Sequence, residues 1–184
     1  ISFVITALYF QIFTFKQRIK VNWAEASKPL LKLNIASTIT FMGFYFALKY
    51  VEPAIVSSLE MGIALLFILV LMLLQRKTIS TKKWAISIGT LLACFILIWA
   101  VINGESGITS QISTEMFIGV FASILCGIGA VFCSGYSKQL SDYGWTSSMI
   151  LSKRYIGIIL ISFIFTYDLI IPYFMDNIIW ILLV

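Results

Sequence analysis

Long stretches without a single charged residue divide this chain, and they constrain its fold more than any other feature. Three of them cover 61–75, 84–104 and 116–137, and the first contains the run LLFILVLMLL. Roughly 20 apolar helical residues cross a bilayer core about 30 Å thick. Charged residues make up only 11% of the chain, whereas an ordinary soluble domain has about 25%. The sequence therefore predicts an integral membrane protein.

The apolar stretches are continuous, which favours helices over a transmembrane barrel built from alternating segments of about ten residues. The predicted fold class is an all-α integral membrane protein, a polytopic helical bundle with about seven visible transmembrane spans. The last of these spans is only begun. In chain order, the predicted spans are 1–15, 33–48, 54–74, 84–102, 116–137, 145–167 and 177–184.

The charges between the predicted spans alternate in sign along the chain. The segments 16–32, 75–83 and 138–154 contain every Lys and Arg except Lys49, while the other connections together carry that one base and five acidic residues. Cytoplasmic loops of membrane proteins are enriched in Lys and Arg. We therefore predict that the basic segments are cytoplasmic and that Ile1 lies outside. The net charge of +5 then reflects orientation in the membrane, and no nucleic-acid partner is expected.

Residues and motifs that support enzyme chemistry are scarce. The sequence has no His, which removes the commonest general base and metal ligand. Cys94, Cys126 and Cys133 lie in apolar runs, where buried thiols are expected rather than a disulfide framework or a zinc site. No nucleotide-binding, metalloprotease or serine-hydrolase motif occurs. We expect no enzymatic activity, no cofactor and no metal site, so an intramembrane enzyme is the least favoured class.

One helical face of the second predicted span is polar and aromatic. Asn34, Thr38, Phe41 and Tyr45 follow one another at steps of four, three and four, with Lys49 just beyond. That spacing places them on one side of a helix. We predict that this face lines a substrate-binding cavity.

Ser57 and Glu60 share one face of the third predicted span. A short turn joins the second and third spans, so we expect antiparallel neighbours whose polar faces share a cavity open to the outside. A carboxylate within a span is costly and usually faces the bundle interior or a water-filled path. Glu60 therefore has two interpretations: it binds a cationic group or exchanges a proton during transport, or it is a structural tie that pairs with Lys49 or caps backbone near the outer surface.

Two further groups of residues have alternative interpretations. Lys153 and Arg154 are expected near the interface, with their charged heads reaching cytoplasmic water, or Arg154 recognises a substrate anion. Lys49 and Arg154 are thus the candidate charge partners. Gly119, Ser123 and Gly127 repeat at four-residue spacing, which favours close helix packing.

Short sequence elements occur in a defined order in the second to fourth predicted spans. The segment ALKY (47–50) is followed by SSLE (57–60) and then by Gly89. This order resembles the EamA-type module of the drug/metabolite transporter superfamily. The chain departs from that pattern at Met61, where the family often has Pro, and at 75–76, where Gln-Arg replaces the usual Gly-Glu.

The stretch FIGVFASILCGIGAVFCSGYSKQL (117–140) looks like the opening helix of the second module of that family. The resemblance implies ten helices in two inverted five-helix modules, located in the cell membrane as a multi-pass protein, most simply a bacterial inner membrane. Residues 1–106 would form a first module that lacks its first helix, and 107–184 would form the truncated start of the second. Because the chain also begins at Ile1 rather than Met, we expect a fragment of a longer protein.

The leading functional prediction is a secondary transporter, a permease or exporter for a small metabolite such as an amino acid. The resemblance implies that it works by alternating access between the two modules. Its expected partners are membrane lipid, a small-molecule substrate and a coupling ion or proton, with no particular oligomeric state predicted. The alternative is a non-transporting membrane subunit that scaffolds a partner or a lipid-modifying enzyme.

Overall fold

All regular secondary structure in the described residues is helical. The computed structural model describes residues 2–15, 23–76, 78, 80–102 and 114–164. Those residues contain no β-strand, which confirms the all-α prediction for the described part of the chain. After a turn at Tyr155, the chain continues as a helix over 156–164. The helices are α1 (Ser2–Phe15), α2 (Trp23–Leu48), α3 (Pro53–Leu74), α4 (Thr81–Ile102), α5 (Thr114–Asp142) and α6 (Ser147–Arg154).

Four helices in the described residues are long enough and apolar enough to cross a membrane. They are Trp23–Leu48, Pro53–Leu74, Glu115–Asp142 and Ser147–Ile164, while Ser2–Thr14 is a shorter apolar helix. The 22 residues of α3 span about 33 Å at 1.5 Å per residue, which matches the bilayer core. The predicted span 177–184 lies outside the described residues.

The start of α2 differs from the prediction. The helix begins at Trp23, ten residues before the predicted start of the second span, so 23–32 is not a connection. Ala26 and Leu33 are completely buried there, in a cluster that includes Leu140 and Trp145. This tertiary packing stabilises a segment whose charged side chains had suggested a loop.

A defined turn joins α5 to α6. The N–H of Trp145 donates to the carbonyl of Leu140 at 3.1 Å, and the N–H of Gly144 donates to the carbonyl of Ser141 at 2.9 Å. These are the two bonds of a Schellman motif, in which the residue after the helix adopts a left-handed conformation. Gly144 occupies that position with φ 84°. The chain then reverses direction, and the side chain of Thr146 caps α6.

Helix α5 lies between α2 and α3 and packs against both. It is antiparallel to α2, because Gly43 approaches Ala122 while the Lys32 ammonium lies 5.8 Å from the Tyr136 ring centre. It is parallel to α3, since Gly127 approaches Glu60 while Phe67 contacts Phe132 further along at a ring-centre distance of 5.5 Å. Helices α2 and α3 are therefore antiparallel, as expected, but little of one packs directly against the other. Close approach to both sides of α5 separates them.

Candidate functional site

The structure separates the residues predicted to line one substrate cavity into two groups. Thr38 is buried and Asn34 and Phe41 are partly buried on the side of α2 that meets α6. Ser57 and Glu60, both partly buried, belong to α3 beyond α5. Because α5 packs between α2 and α3, the described residues do not bring these two polar faces together.

Arg154 joins the polar face of α2 from the end of α6. Its Nε donates a hydrogen bond to the Ser37 hydroxyl at 2.9 Å, and its guanidinium carbon lies 5.6 Å from the Phe41 ring centre. The ring of Tyr155 is 6.0 Å away. The contacts that the structure gives for this guanidinium are therefore all with neutral groups.

The Arg154 side chain does not extend toward the basic end of the bundle, where an interfacial position was expected. The two helices run parallel here, because Trp145 contacts Trp23 while Gly157 contacts Asn34 further along. Arg154 comes one turn before Gly157, yet its head group reaches Ser37 and Phe41, which follow Asn34 on α2. The guanidinium thus points away from the basic end of the bundle. A hydroxyl acceptor and an aromatic face within reach account for this direction.

Ser37 connects three helices through one hydroxyl group. It is completely buried, and its oxygen lies 3.3 Å from the sulfur of Cys133 on α5. An Arg side chain only donates hydrogen bonds, so the Ser37 oxygen accepts from Arg154 and its own hydrogen can go to the thiol. Arg154 is thereby fixed against α2 and, through Ser37, against α5.

Asn34 and Thr38 on α2 lie close to the chain just after α6, where the turn at Tyr155 interrupts the helix. The Asn34 Oδ1 accepts a hydrogen bond from the Gly157 N–H at 2.9 Å, while its Nδ2 donates to the Leu30 carbonyl at 3.0 Å. A Cβ on Gly157 would lie 2.8 Å from the Thr38 hydroxyl oxygen, so only glycine allows this approach. The amide of Asn34 therefore positions the helical segment that follows Tyr155. A direct contact between Asn34 and substrate stays a prediction.

Aromatic rings from three parts of the fold surround this place. Phe3 of α1 lies 4.8 Å from Phe41, 5.4 Å from Tyr155 and 6.3 Å from Tyr45, measured between ring centres. Phe41 and Tyr155 are 5.7 Å apart. Tyr45 is 58% exposed, so the cluster has one open member. We call Phe3, Phe41, Tyr45, Tyr155 and Arg154 the Arg154 cluster; it combines a cation with apolar ring surface.

Glu60 has a different partner from the one expected. The side chain of Glu60 lies beside the thiol of Cys126 on α5, and Cys126 is completely buried. Lys49, the predicted tie, is exposed and places its ammonium 5.2 Å from the Tyr50 ring centre. The contact of Glu60 in the structure thus links α3 to α5. A role of Glu60 in transport stays a prediction.

The small residues predicted to mediate helix packing lie where α5 meets its neighbours. A Cβ on Gly119 would collide with Val51, and a Cβ on Gly127 would lie 2.7 Å from the Glu60 carbonyl oxygen. Ser123 is completely buried and donates to the Gly119 carbonyl at 2.9 Å. These positions allow the backbones of α5 and the adjacent segments to approach closely.

Sequence reasoning missed Phe3, Ser37, Tyr155 and Gly157. Ser37 carried a usable signal, since it precedes Phe41 by one helical turn, whereas the partners across helices depend on packing that no local pattern reveals. In the described part of the chain, no group of three or more His, Cys, Asp and Glu residues could hold a metal ion. Comparison of the chain with protein-family models, curated protein sequences and solved structures gave no match.

Proposed function

We propose that the chain is part of a secondary transporter, a permease or exporter that moves a small metabolite such as an amino acid by alternating access. In this proposal it has about seven spans of an EamA-type protein with two inverted modules. It is a multi-pass protein of the cell membrane, most simply a bacterial inner membrane. The observation that carries the proposal is the Arg154 cluster, which places a cation among aromatic rings inside a bundle of apolar helices.

The cost of such an arrangement supports a functional role. Charged groups within membrane spans are unfavourable by a few kcal/mol or more, and those that persist usually line a substrate or ion path. Arg154 is directed toward the middle of α2 and not toward the basic end of the bundle. No nucleotide-binding motif occurs in the sequence, so in this proposal a substrate or ion gradient supplies the energy.

An open apolar groove between α2 and α5 favours the second candidate, a non-transporting membrane subunit. Two cavities of about 260 and 300 Å³ follow one another along these helices and share Ile39 and Leu125. Their surfaces are almost entirely apolar, and Phe121 is 62% exposed beside them. Such a surface fits lipid or another apolar helix, which is what a scaffold would bind.

Transport by the reconstituted protein tests the first candidate against the second. The complete protein of which this chain is proposed to be a part, purified and placed in liposomes, should move at least one member of a radiolabelled amino acid panel with saturable kinetics, above the rate of empty liposomes. Absence of saturable movement for the whole panel would count against transport and favour the scaffold.

The same vesicles test the role of Glu60 with a pH gradient imposed. If Glu60 exchanges a proton, Glu60→Gln should remove the stimulation of transport by the gradient. Glu52→Gln, which removes a carboxylate at the start of α3, is the matched control and should retain it. Unchanged stimulation in Glu60→Gln would leave transport standing and limit Glu60 to its contact with Cys126.

A further inference from the structure

We propose that the Arg154 cluster is the substrate-recognition site and that its ligand is a small organic carboxylate with an aromatic or other apolar body. This inference rests on the transport function proposed above and gives it a substrate class. The carboxylate pairs with the guanidinium of Arg154, and the apolar body packs on the rings of Phe3, Tyr45 and Tyr155.

The charge of Arg154 calls for an anion. An Arg side chain carries a positive charge, and the contacts that the described residues make with the Arg154 guanidinium are a hydroxyl and aromatic rings. Among the described residues, these neutral contacts stabilise the cation but do not neutralise it, and a partly buried charge within a membrane span is unfavourable. A ligand that brings its own negative charge completes the pair, whereas a cationic ligand would be repelled.

The geometry of the guanidinium selects a carboxylate. Ser37 is bonded to Nε, so the hydroxyl fixes the side chain through the inner part of its fork. The two terminal nitrogens of an Arg carry four of its five N–H donors, and they match the two oxygens of a carboxylate in parallel hydrogen bonds. Phe41 covers one side of the guanidinium and thereby restrains its plane.

The aromatic rings define the rest of the ligand. Phe3 on α1 contacts both Phe41 and Tyr155, so α1 closes one side of the site with ring surface. Tyr45 is the exposed member and leaves an approach from the end of α2. An apolar body a few ångströms from the carboxylate would meet these rings, and offset or edge-on ring contacts add to the affinity.

Phenylacetate and phenylacetamide form a matched pair of probes, since they share a ring and differ in charge. Binding of radiolabelled phenylacetate is measured on the purified chain in phosphatidylcholine nanodiscs, with unlabelled competitors. We expect phenylacetate to compete at least about tenfold better than phenylacetamide, because the amide lacks the charge-assisted bonds to Arg154. Equal competition by the two compounds, or no saturable binding, would overturn the inference.

Variants of adjacent basic residues locate the site. Arg154→Gln should remove the preference for the acid, and Arg154→Lys should retain only part of it because an ammonium lacks the planar fork. Lys153→Gln loses the same charge one residue away and should bind like the unaltered protein. If Lys153→Gln and Arg154→Gln lost binding equally, the assignment to Arg154 would be wrong. Should Arg154→Gln fail to fold, the comparison of acid and amide on the unaltered chain still decides.

Two further measurements separate this inference from its alternatives. Phosphatidylglycerol is a lipid whose phosphate, like the carboxylate of phenylacetate, presents anionic oxygens to the guanidinium. Displacement of phenylacetate by trace amounts of added phosphatidylglycerol would assign the site to a lipid phosphate and overturn the inference. Uptake of phenylacetate into proteoliposomes tests the transport step. Arg154-dependent binding without uptake would contradict transport and leave the carboxylate site standing. Uptake that Arg154→Gln leaves unchanged would support transport and refute the site.

Discussion

Gly127→Ala tests whether α3 and α5 are packed as closely as the structure indicates. A Cβ at position 127 would lie 2.7 Å from the carbonyl oxygen of Glu60 and 3.1 Å from the Cβ of Ile63. Ordinary contact begins at 3.4 Å, so the new methyl group is about 0.7 Å too close to a backbone atom. A backbone carbonyl within a helix cannot rotate away, and α3 would have to shift as a whole.

The expected magnitude is the difference between two variants of the same helix. Overpacking of a tight interface costs about 1–3 kcal/mol, whereas replacing Gly by Ala inside a helix gains about 0.5–1 kcal/mol. Gly135→Ala provides the control, because a Cβ there meets nothing within 4 Å. Both variants share the gain in helix propensity. Gly127→Ala should therefore be about 1–3 kcal/mol less stable than Gly135→Ala.

Unfolding by sodium dodecyl sulfate in mixed micelles, followed by circular dichroism, measures this difference. The midpoint for Gly127→Ala should fall below that of Gly135→Ala, with both proteins monodisperse before denaturation. Equal midpoints would refute the close approach of α3 and α5 at Gly127. A lower midpoint for Gly135→Ala would show that the described interface is on the wrong side of α5.

Two other glycine positions give expected outcomes in the same assay. Gly157→Ala would place a Cβ 2.8 Å from the Thr38 hydroxyl and should lower the stability of the protein by about 1–3 kcal/mol. Adding Thr38→Ala to this variant should recover part of the loss. Strictly additive effects of the two substitutions would contradict the contact. Gly144→Ala should lower the stability by about 1–2 kcal/mol, because residue 144 has a left-handed φ of 84°. Gly144→Asn should be tolerated better. Equal stability of the two variants would argue against the turn at Gly144.

The parts of the fold predicted well from sequence are those whose limits are set locally. The predicted third span, 54–74, agrees with α3 within one residue, because Pro53 starts the helix and polar residues follow its end. The start of α2 was predicted ten residues late. Its first turns carry charges, and packing of Ala26 and Leu33 against the α5–α6 turn decides their conformation.

The candidate site shows the same division. Helical periodicity correctly placed Asn34, Thr38 and Phe41 on one face of α2, since that property is local to one helix. It could not reveal that this face meets Arg154, because the contact joins residues more than a hundred positions apart. The position of α5 between α2 and α3 is equally non-local, and it separates Ser57 and Glu60 from the residues predicted on α2. The family assignment and transport itself stay predictions.

Two hydrogen bonds between α2 and the interrupted sixth helix restrict how these elements can move. Arg154 is bonded to Ser37 just before the interruption, and Gly157 is bonded to Asn34 just after it. Sliding of α2 along the sixth helix would break both bonds at once. Rotation of either element about its own axis would break them as well. We therefore expect the two elements to move together around the interruption. In the proposed transport cycle, the boundary between moving parts lies outside this pair, and the guanidinium keeps its orientation while its surroundings rearrange.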